Sequence, residues 1–384
     1  MKLISATVYA LHIPFVESFR HSAHLRHGSD SVVVRVVNED GVAGFGEGVG
    51  RPYVTGETPS IMVEHLARDL WPELAGVELP DPVEDALAAV DAVLGEVTLP
   101  GVIAPNASRC AIELAALDCV LRTSGASLAE LLPPRRTTVV YSGVVTAGSV
   151  DAAVRRARQM KLVGLSDLKL KAGLGNDVER VRAVREAVGP EVSLRLDANG
   201  AWDLDEALQV LNDVAPFAIA AVEQPLPRGA LGDLKALRRA SPIPVMADES
   251  LVTLEDAEVL VAEEAVDLFN VRISKCGGIR RSREIARLAS SAGVGVQVGS
   301  QVGETAILSA AGRHLAAWLP DVAFVEGSYG TLLLTEDVSV EPVRFGHGGR
   351  APPLPGPGLG VEVVETRLRR YSEHVVELPA SETR

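Results

Sequence analysis

Five charged residues recur at nearly constant spacing in the middle of the chain. They are Lys171, Asp197, Glu223, Asp248 and Lys275, and successive members are 26, 26, 25 and 27 residues apart. Each closes a short apolar, β-branched run, so all five are expected at equivalent positions of a repeated strand–helix unit. Solvated strand ends would show no such order. Three carboxylates flanked on each side by a lysine therefore indicate acid–base chemistry.

The three carboxylates, Asp197, Glu223 and Asp248, would repel one another if they met without a cation, and one of them would retain its proton. A hard divalent ion removes that repulsion. All-oxygen ligation with positions left for water or substrate favours Mg²⁺, or Mn²⁺ as the alternative, over zinc. No histidine is close to these positions in the sequence, which also weighs against zinc.

The lysines at these strand ends are suited to proton transfer. The chain has six lysines against 31 arginines, and three of the six are Lys169, Lys171 and Lys275. Arginine effectively cannot give up its proton, whereas a lysine beside a divalent ion and another ammonium group has a lowered pKa and can act as a base. Lys169 and Lys171 are two residues apart, so on a strand they point to the same face. Bases on opposite sides of a substrate would allow proton removal from one face and return on the other.

Eight strand-like runs alternate with seven helical patterns from about residue 137 onwards. The runs are TVVYSG, DLKLK, SLRLDANG, AIAAVEQP, IPVMADES, LFNVRIS, VGVQVG and VAFVEG. Eight such units in about 200 residues have the size and rhythm of a (β/α)8 barrel, in which the active site lies at the C-terminal ends of the strands. An open doubly wound sheet is the alternative, but no GxGxxG sequence accompanies these units.

The N-terminal part has a different organisation. Strand-like segments at Ala6–Ile13 and Ser31–Val37 precede three helical patterns, which predicts an α+β domain. The helical patterns cover Thr58–Leu70, Pro82–Leu94 and Pro105–Leu121. The polar segment Glu17–Asp30 is predicted to be a loop, and the run PPLPGPGLGVEVV precedes a strand that is expected to return to the first domain. The predicted domains are a cap at residues 1–125, a barrel at residues 126–340 and a tail at residues 341–384.

The overall composition excludes several classes of protein. Of the 384 residues 47% are hydrophobic and 4% aromatic, and the formal net charge is −14. This acidic balance does not fit a nucleic-acid partner, which needs a basic face. The N-terminus lacks the apolar region of a signal peptide, and the longest apolar runs fall short of the roughly 18 residues that span a membrane. With three cysteines and no CxxC pair, we expect a cytoplasmic protein without a membrane partner.

The motifs LKLKAG, LRLDANG, VEQP, ADES and ISKCGG together resemble the enolase superfamily, specifically its muconate-lactonizing (muconate cycloisomerase-like) subgroup among the mandelate racemase/muconate lactonizing enzymes. The similarity extends over nearly the whole chain and includes RPYVTGE and PGPGLGVEV. It implies a modified (β/α)8 barrel with an α+β cap formed by the N-terminal segment and the C-terminal tail. It also implies Mg²⁺-dependent abstraction of a proton α to a carboxylate, with an enediolate intermediate, in an enzyme that is commonly a homo-oligomer.

The resemblance assigns roles to particular residues. The metal ligands would be Asp197, Glu223 and Asp248, the acid/base pair would be Lys171 and Lys275, and Lys169 would tune Lys171. The cap loops Glu17–Asp30 and Gly46–Glu57 would close over the substrate.

Two differences from the patterns of the family bear on which reaction is expected. The segment VEGSYGTLLLTED lacks the Asp-x-Asp motif of dipeptide epimerases and looks more like the cycloisomerases, and Gly299 stands where many relatives have a glutamate.

Other residues are candidates for contact with the substrate. They are Arg20, His24, Arg26, Tyr53, Ser142 and Ser300, the last two at the predicted ends of the first and seventh strands. The lid segment with His21, His24 and His27 is interpreted as contacting a polar or anionic substrate end, with a metal site or a solvated loop as alternatives. The glycines after Cys276 could bind an anion through their N–H groups, or they could allow close packing.

These observations predict an isomerase, either a racemase/epimerase or a cycloisomerase, that acts on a small carboxylate through a two-lysine mechanism. The substrate would be an N-acyl amino acid, another amino-acid derivative or a muconate-like acid. A dehydratase of the same superfamily is the first alternative. A Schiff-base lysine aldolase is a second one, but it leaves the three carboxylates unexplained. The non-enzyme alternative is a barrel that only binds a ligand.

Overall fold

The computed structural model describes residues 1–21, 24–95, 99–146 and 148–379, with the backbone alone for residues 18–21, 24, 25 and 331. The first strands are β1 (Leu3–Leu11), β2 (Pro14–His21), β3 (His24–Gly28), β4 (Val32–Asn38) and β5 (Ala43–Gly48). The helices that follow are α1 (Pro59–His65), α2 (Trp71–Leu74), α3 (Val83–Leu94), α4 (Asn106–Ser124) and α5 (Leu128–Leu131), with a π-helical segment at Leu66–Leu70. No helix in the described ranges is long and apolar enough to cross a membrane.

The cap is built on a four-stranded antiparallel sheet that includes the C-terminal strand of the chain. The β-branched run of β4 pairs with one edge of β1, and the C-terminal strand pairs with the other, so that Val8 faces Val34 on one side and Val376 on the other. Strand β5 pairs with β4 and completes the sheet. The return of the tail to the cap, which the fold prediction included, is therefore confirmed.

Helix α4 packs directly on β5 because glycines leave room for its backbone. A Cβ atom at Gly46 would lie 2.1 Å from the carbonyl oxygen of Ala111, and one at Gly48 would lie 2.0 Å from that of Ala107. The alternating glycines of the strand thus match alanines spaced one helical turn apart. This close approach buries α4 on nearly all sides and places it between the cap sheet and the barrel.

The rest of the chain alternates strands and helices. The strands are β6 (Val139–Val140), β7 (Gly143–Val145), β8 (Asp167–Lys171), β9 (Ser193–Asp197), β10 (Ile219–Glu223), β11 (Val245–Ala247), β12 (Leu268–Val271), β13 (Gly295–Val298), β14 (Phe324–Val325), β15 (Arg350–Ala351) and β16 (Ser372–Pro379). The helices are α6 (Val150–Leu162), α7 (Asp177–Val188), α8 (Leu204–Val214), α9 (Leu231–Ala240), α10 (Leu254–Ala262), α11 (Ile279–Ser291), α12 (Ala306–Trp318), α13 (Gly330–Leu333) and α14 (Glu365–Tyr371). Short 3-10 turns occupy Ala215–Phe217 and His347–Gly349.

Strands β7 to β14 form one parallel sheet in the order of the sequence. The amide N–H of Ser142 donates to the carbonyl of Val325, 2.8 Å away, and so joins the first strand to the last. The predicted modified (β/α)8 barrel with an α+β cap is therefore confirmed.

The predicted position of the first barrel strand is wrong. Val139 and Val140 of the TVVYSG run pair antiparallel with Arg350 and Ala351 outside the barrel sheet. The barrel strand starts at Gly143 instead, where a Cβ would lie 2.7 Å from the sulfur of Met160. The prediction placed the barrel strand on the β-branched run, but only the residues after that run pack beneath helix α6.

The segment predicted as a loop at residues 17–30 is also different. Its backbone forms the antiparallel hairpin of β2 and β3, in which Phe19 faces Arg26. The hairpin is attached to the barrel because the N–H of Thr335 donates to the carbonyl of Pro14 at 2.9 Å. Its polar composition hid the strands, since the segment lacks the alternating apolar pattern by which a strand is recognised.

Two buried carboxylates of the cap accept hydrogen bonds from the N-termini of barrel helices. Glu113 of α4 accepts hydrogen bonds from the N–H groups of Ile279 (2.6 Å) and Arg280 (3.3 Å) at the start of α11. Glu47 of β5 accepts from Thr305 (2.9 Å) and from the first turn of α12 beyond it. A negative group at a helix N-terminus satisfies free N–H groups and the helix dipole. Each carboxylate therefore docks the cap onto the barrel.

Because Glu113 is buried, its pKa rises from 4.5 to about 7, and we expect a pH-dependent stability. Between these pH values the folded state holds a proton that the unfolded state has released, so the free energy of unfolding falls as pH rises from about 4.5 to 7. The contribution is about 3 kcal/mol. Glu113→Gln keeps an acceptor oxygen without titrating, so urea unfolding at pH 5 and pH 8 should show a smaller difference than in the wild type. An unchanged difference would contradict this assignment.

Candidate active site

The strand-end charges meet because neighbouring strands are in register. Lys171 of β8 faces Asp197 of β9, and Asp197 faces Glu223 of β10. Asp248 directly follows β11, and Lys275 lies four residues after the end of β12. The equal sequence spacing thus becomes a row of adjacent side chains at the C-terminal ends of five consecutive strands.

The three carboxylates of Asp197, Glu223 and Asp248 are fully buried, and two cations bridge them. The Nζ of Lys169 lies 3.1 Å from an oxygen of Asp197 and 3.4 Å from one of Glu223. One guanidinium nitrogen of Arg272 lies 3.2 Å from Glu223 and also contacts Asp248. Because a single nitrogen touches each pair, the three carboxylates are direct neighbours that share two cations.

Glu223 is the central member and is held by neutral donors as well. The amide of Asn270 donates to its Oε1 at 2.8 Å, and that of Gln297 donates to its Oε2 at 3.0 Å. Burial raises the pKa of Glu223, and the charge of Asp197 adds to the rise. Burial acts in the same direction on Asp248, but Arg272 and Lys275 outweigh it and lower the pKa of that carboxyl.

The two outer lysines lie on opposite flanks of the three carboxylates. Lys171 Nζ donates to Asp197 at 2.6 Å and to the side-chain oxygen of Asn199 at 2.8 Å. Lys275 Nζ donates to the carboxylate of Asp248 at 2.8 Å and to the backbone carbonyls of Asp248 and Asn270. Each ammonium group is therefore fixed in place by the outer carboxylate on its own side.

Lys169 differs from the outer lysines in its surroundings. It contacts Glu326 at 2.7 Å as well as the two carboxylates that it bridges. Burial lowers its pKa, but Glu223, Glu326 and Asp197 outweigh this effect and raise it above the ordinary value. Lys169 is therefore a fixed cation behind Lys171.

The donor set is chemically suited to a hard divalent cation. It consists of carboxylate oxygens, the ligands that Mg²⁺ prefers. Glu249, next to Asp248, has a buried Oε2 without a hydrogen-bond partner in the described chain, and burial together with Asp248 raises its pKa to about 7. That orphaned oxygen indicates a shortage of positive charge. Within the described residues, no group of three aspartate, glutamate, histidine or cysteine side chains is arranged as a ready metal site. The carboxylate oxygens of Asp197, Glu223 and Asp248 contact Lys169 and Arg272 instead.

Several residues of this centre were missed by the sequence analysis. They are Arg195, Asn270, Arg272, Gln297 and Glu326. Glu326 follows its strand directly and accepts from Arg195 at 2.6 Å as well as from Lys169. A signal was available in the sequence, since polar residues alternate with apolar ones inside the buried runs SLRLD and LFNVRIS, where a purely structural strand would be apolar throughout.

Gly299 is required by the packing around Glu223. A Cβ at this position would lie 2.0 Å from the side-chain oxygen of Asn270 and 3.0 Å from Cγ of Arg272. The glycine that departs from many relatives thus makes room for two residues that contact the carboxylates.

We therefore expect Gly299→Ala to lower the free energy of unfolding by about 1–3 kcal/mol, the usual cost of overpacking. Gly312→Ala is the matched control, because a Cβ there meets nothing within 4 Å and alanine favours the helix. Thermal unfolding of both variants provides the measurement. Equal unfolding midpoints for the two would contradict the packing role of Gly299.

The predicted substrate contacts fall at different places. Ser300 follows β13 and lines a small cavity at the barrel mouth. Tyr53 is 41% exposed in the cap loop after β5. Arg26 pairs with Asp30 at 2.5 Å, and its charge is thereby compensated within the cap. The side chains of Arg20, His21 and His24 lie outside the described residues.

Ser142 is not at the end of the first strand, and the prediction of its position is wrong. It precedes β7. Its hydroxyl accepts a hydrogen bond from Arg195 at 3.1 Å and donates one to Asp167 at 3.3 Å. Asp167 begins its strand, whereas Lys171 ends it, so Ser142 belongs to a deeper layer of the barrel. The shift of the first barrel strand toward Gly143 causes this difference.

The cap covers the centre from the side of Lys275. The N–H of Val49 donates to the hydroxyl of Ser274 at 2.8 Å, and Arg51 bonds to Asp30 at 2.8 Å and to the carbonyl of Val302 at 2.5 Å. The helix that begins after Cys276 already has an anion at its N-terminus, the carboxylate of Glu113. Its glycines therefore serve close packing, since a Cβ at Gly278 would lie 2.3 Å from Glu113.

Comparison with known proteins agrees with this architecture. The family profile described as mandelate racemase/muconate lactonizing enzyme, N-terminal domain, matches residues 4–133, and that described as enolase C-terminal domain-like matches residues 152–367. A hydrophobic dipeptide epimerase of Enterococcus faecalis is 31% identical over 89% of this chain and 95% of its own length.

Solved structures are similar over almost the whole chain. The N-succinyl Arg/Lys racemase of Bacillus cereus superposes with a TM-score of 0.90 at 26% identity, covering 98% of this chain and 100% of its own. A dipeptide epimerase of Cytophaga hutchinsonii complexed with Mg and the dipeptide D-Ala-L-Val has a TM-score of 0.88 at 26% identity, with the same coverage. Together with the strand-end lysines and carboxylates, these matches show that the chain belongs to the mandelate racemase/muconate lactonizing enzyme family of the enolase superfamily.

Proposed function

We propose that this protein is a racemase or epimerase that removes the proton α to a carboxylate with one lysine and returns a proton to the opposite face with the other. Lys171 and Lys275 are the acid/base pair. The observation that carries this proposal is their position, one on each flank of Asp197, Glu223 and Asp248. The reactions named for the racemase and epimerase relatives support it.

The three carboxylates would hold Mg²⁺. When bound, the ion would supply positive charge at the substrate carboxylate and so acidify its α-hydrogen. The all-oxygen donor set and the orphaned oxygen of Glu249 support this assignment.

The chain's own groups carry the proton. Lys171 Nζ takes the α-proton on one face of the substrate, while the ammonium of Lys275 delivers one on the other face, and the reverse reaction exchanges these roles. Asn199 and the carbonyl of Asn270 orient the two nitrogen atoms. Lys169 keeps a positive charge beneath Lys171, and Val49 and Arg51 bring the cap over the site, which limits access of water.

Proton exchange in deuterium oxide tests the proposal. A panel of free amino acids, dipeptides, N-acyl amino acids and nitrogen-free carboxylates is incubated with the Mg²⁺-supplemented enzyme, and α-deuteration and change of configuration are followed by NMR and polarimetry. Exchange with inversion is expected for at least one class. Exchange without inversion but with loss of water would instead indicate a dehydratase, and trapping of substrate by borohydride would indicate a Schiff-base enzyme.

A further inference from the structure

A small cavity opens at the barrel mouth between the ends of β13 and β14. Its lining includes Ser300, Glu304, Ser309 and Glu326 together with the glycines at positions 299, 312 and 327. Ile273, two residues before Lys275, forms another part of the wall. The cavity therefore adjoins the proposed acid/base centre, and its volume of about 10 Å³ has room for a group the size of one water molecule, such as an ammonium.

The two acids of this cavity are in different situations. Glu326 is compensated, because Lys169 and Arg195 contact its oxygens at 2.7 and 2.6 Å. Glu304 accepts one hydrogen bond, from the N–H of Gln301 at 2.6 Å. Within the described part of the chain, no lysine, arginine or histidine lies within the 4.0 Å of an ion pair from its carboxylate. Glu304 thus has no counter-charge within ion-pair distance, and only the more distant Arg272 and Arg51 act on it as cations.

Ser309 adds a second, independent feature that faces the same cavity. It is 5% exposed and lines the cavity wall, yet its hydroxyl has no hydrogen-bond partner among the residues the structure describes. The hydroxyl is therefore open to the cavity and can bond to a group that enters it. A hydroxyl beside the Glu304 carboxylate indicates a place built to receive a polar group.

We propose that Glu304, with the hydroxyls of Ser309 and Ser300, binds a protonated amino group of the substrate. This inference rests on the proposed function and narrows it to carboxylates with a free, cationic nitrogen, such as amino acids, cyclic imino acids or dipeptides, in preference to N-acyl or nitrogen-free acids. The substrate carboxylate would lie over Asp197, Glu223 and Asp248, and its ammonium group would enter the cavity.

The electrostatics of the cavity favour a cation over a neutral or anionic group. Glu304 is partly buried, and a carboxylate withdrawn from water without a counter-charge pays a desolvation cost that an ammonium partner offsets. Burial raises the pKa of Glu304 to about 8, and the nearby Glu47 adds to the rise. An ammonium group at this place would stabilise the ionised form of Glu304, whereas an anionic end of a substrate, such as the second carboxylate of a muconate, would supply no counter-charge.

The test compares substrates with one carbon skeleton and different nitrogen groups. The free amino acid, its N-acetyl derivative and the corresponding nitrogen-free carboxylate are assayed for α-deuterium exchange with wild type, Glu304→Gln, Glu304→Asp and Glu191→Gln, an exposed control before β9. For the amino substrate Glu304→Gln should lower kcat/KM about 100-fold, mainly through KM, because a buried charge pair is lost. Glu304→Asp should recover part of the loss, and Glu191→Gln should match wild type.

A second readout does not depend on turnover. Propylammonium should raise the thermal unfolding midpoint of the wild type and of Glu191→Gln but not of Glu304→Gln, and a folded Glu304→Gln protein is verified by its own midpoint. Equal or better exchange of the N-acetyl or nitrogen-free acids by the wild type would overturn the inference while leaving the proposed function intact. An equal loss on all three substrates would also overturn it. Exchange with none of the panel would count against the proposed function itself.

Discussion

Replacing Lys171 by alanine is expected to reduce turnover about 10³-fold, in the range attributed to a positioned acid or base, and Lys275→Ala is expected to do the same. The two variants should differ in stereochemistry. Because each lysine serves one face of the α-carbon, each variant should lose α-deuterium exchange from one enantiomer of the substrate and retain measurable exchange from the other. Chiral chromatography combined with NMR in deuterium oxide measures this directly.

Arginine variants separate charge from proton transfer. Lys171→Arg and Lys275→Arg keep a positive group beside Asp197 and Asp248, but a guanidinium effectively cannot release its proton, so both should remain as inactive as the alanine variants. Lys235→Ala is the matched control, since this lysine pairs with Glu263 on the outside of the barrel. If both alanine variants exchange either enantiomer at the wild-type rate, the two-lysine mechanism is wrong.

Removal of the divalent ion is expected to abolish exchange and to lower stability. Treatment with EDTA should stop α-deuteration, and added Mg²⁺ should restore it. At a Mg²⁺ concentration about 100 times Kd, binding to the folded state alone adds about 2.7 kcal/mol to the free energy of unfolding. The wild-type unfolding midpoint should therefore rise with Mg²⁺ and fall again with EDTA.

The central ligand gives the sharpest variant for this prediction. Glu223→Gln preserves shape and hydrogen-bonding capacity but removes one of three negative charges, so the Mg²⁺-dependent rise in midpoint should disappear and calorimetry should show at least about 100-fold weaker binding. Glu263→Gln, on the outer surface, should behave like the wild type. An enzyme that keeps exchanging in EDTA, with a midpoint insensitive to Mg²⁺, would mean that the buried carboxylates have a structural role only.

The row of strand-end charges could be predicted because it depends on a local period. One strand, one helix and their connections take about 26 residues, so equal spacing brings Lys171, Asp197 and Glu223 to the same edge of a parallel sheet. The hairpin at the lid and the first barrel strand could not be predicted in the same way. In the hairpin a polar sequence hides the strands, and in the barrel the β-branched run of TVVYSG pairs outside the sheet while the residues that pack beneath α6 form the strand.

The remaining members of the site depend on contacts between distant parts of the chain. Arg272 and Asn270 reach the carboxylates only because Gly299, directly after the next strand, has no side chain. Glu304 faces the mouth of the barrel because the loop after β13 turns back under the cap, where the guanidinium of Arg51 donates a hydrogen bond to the carbonyl of Val302. The alternation in LFNVRIS marks Asn270 and Arg272 as unusual, but no period or motif distinguishes Glu304 from a surface residue.

By itself, the sequence determined the repeating barrel, its cap, the family and the row of lysines and carboxylates, because each follows from a pattern within a short stretch or from its regular repetition. Only the tertiary structure decided which groups compensate which charges. Lys169 meets Glu326, 157 residues away, because the barrel closes and brings its last strand to its first. That closure is a property of the whole sheet, so no local pattern could show that Glu326 is paired while Glu304 has no ion-pair partner among the described residues.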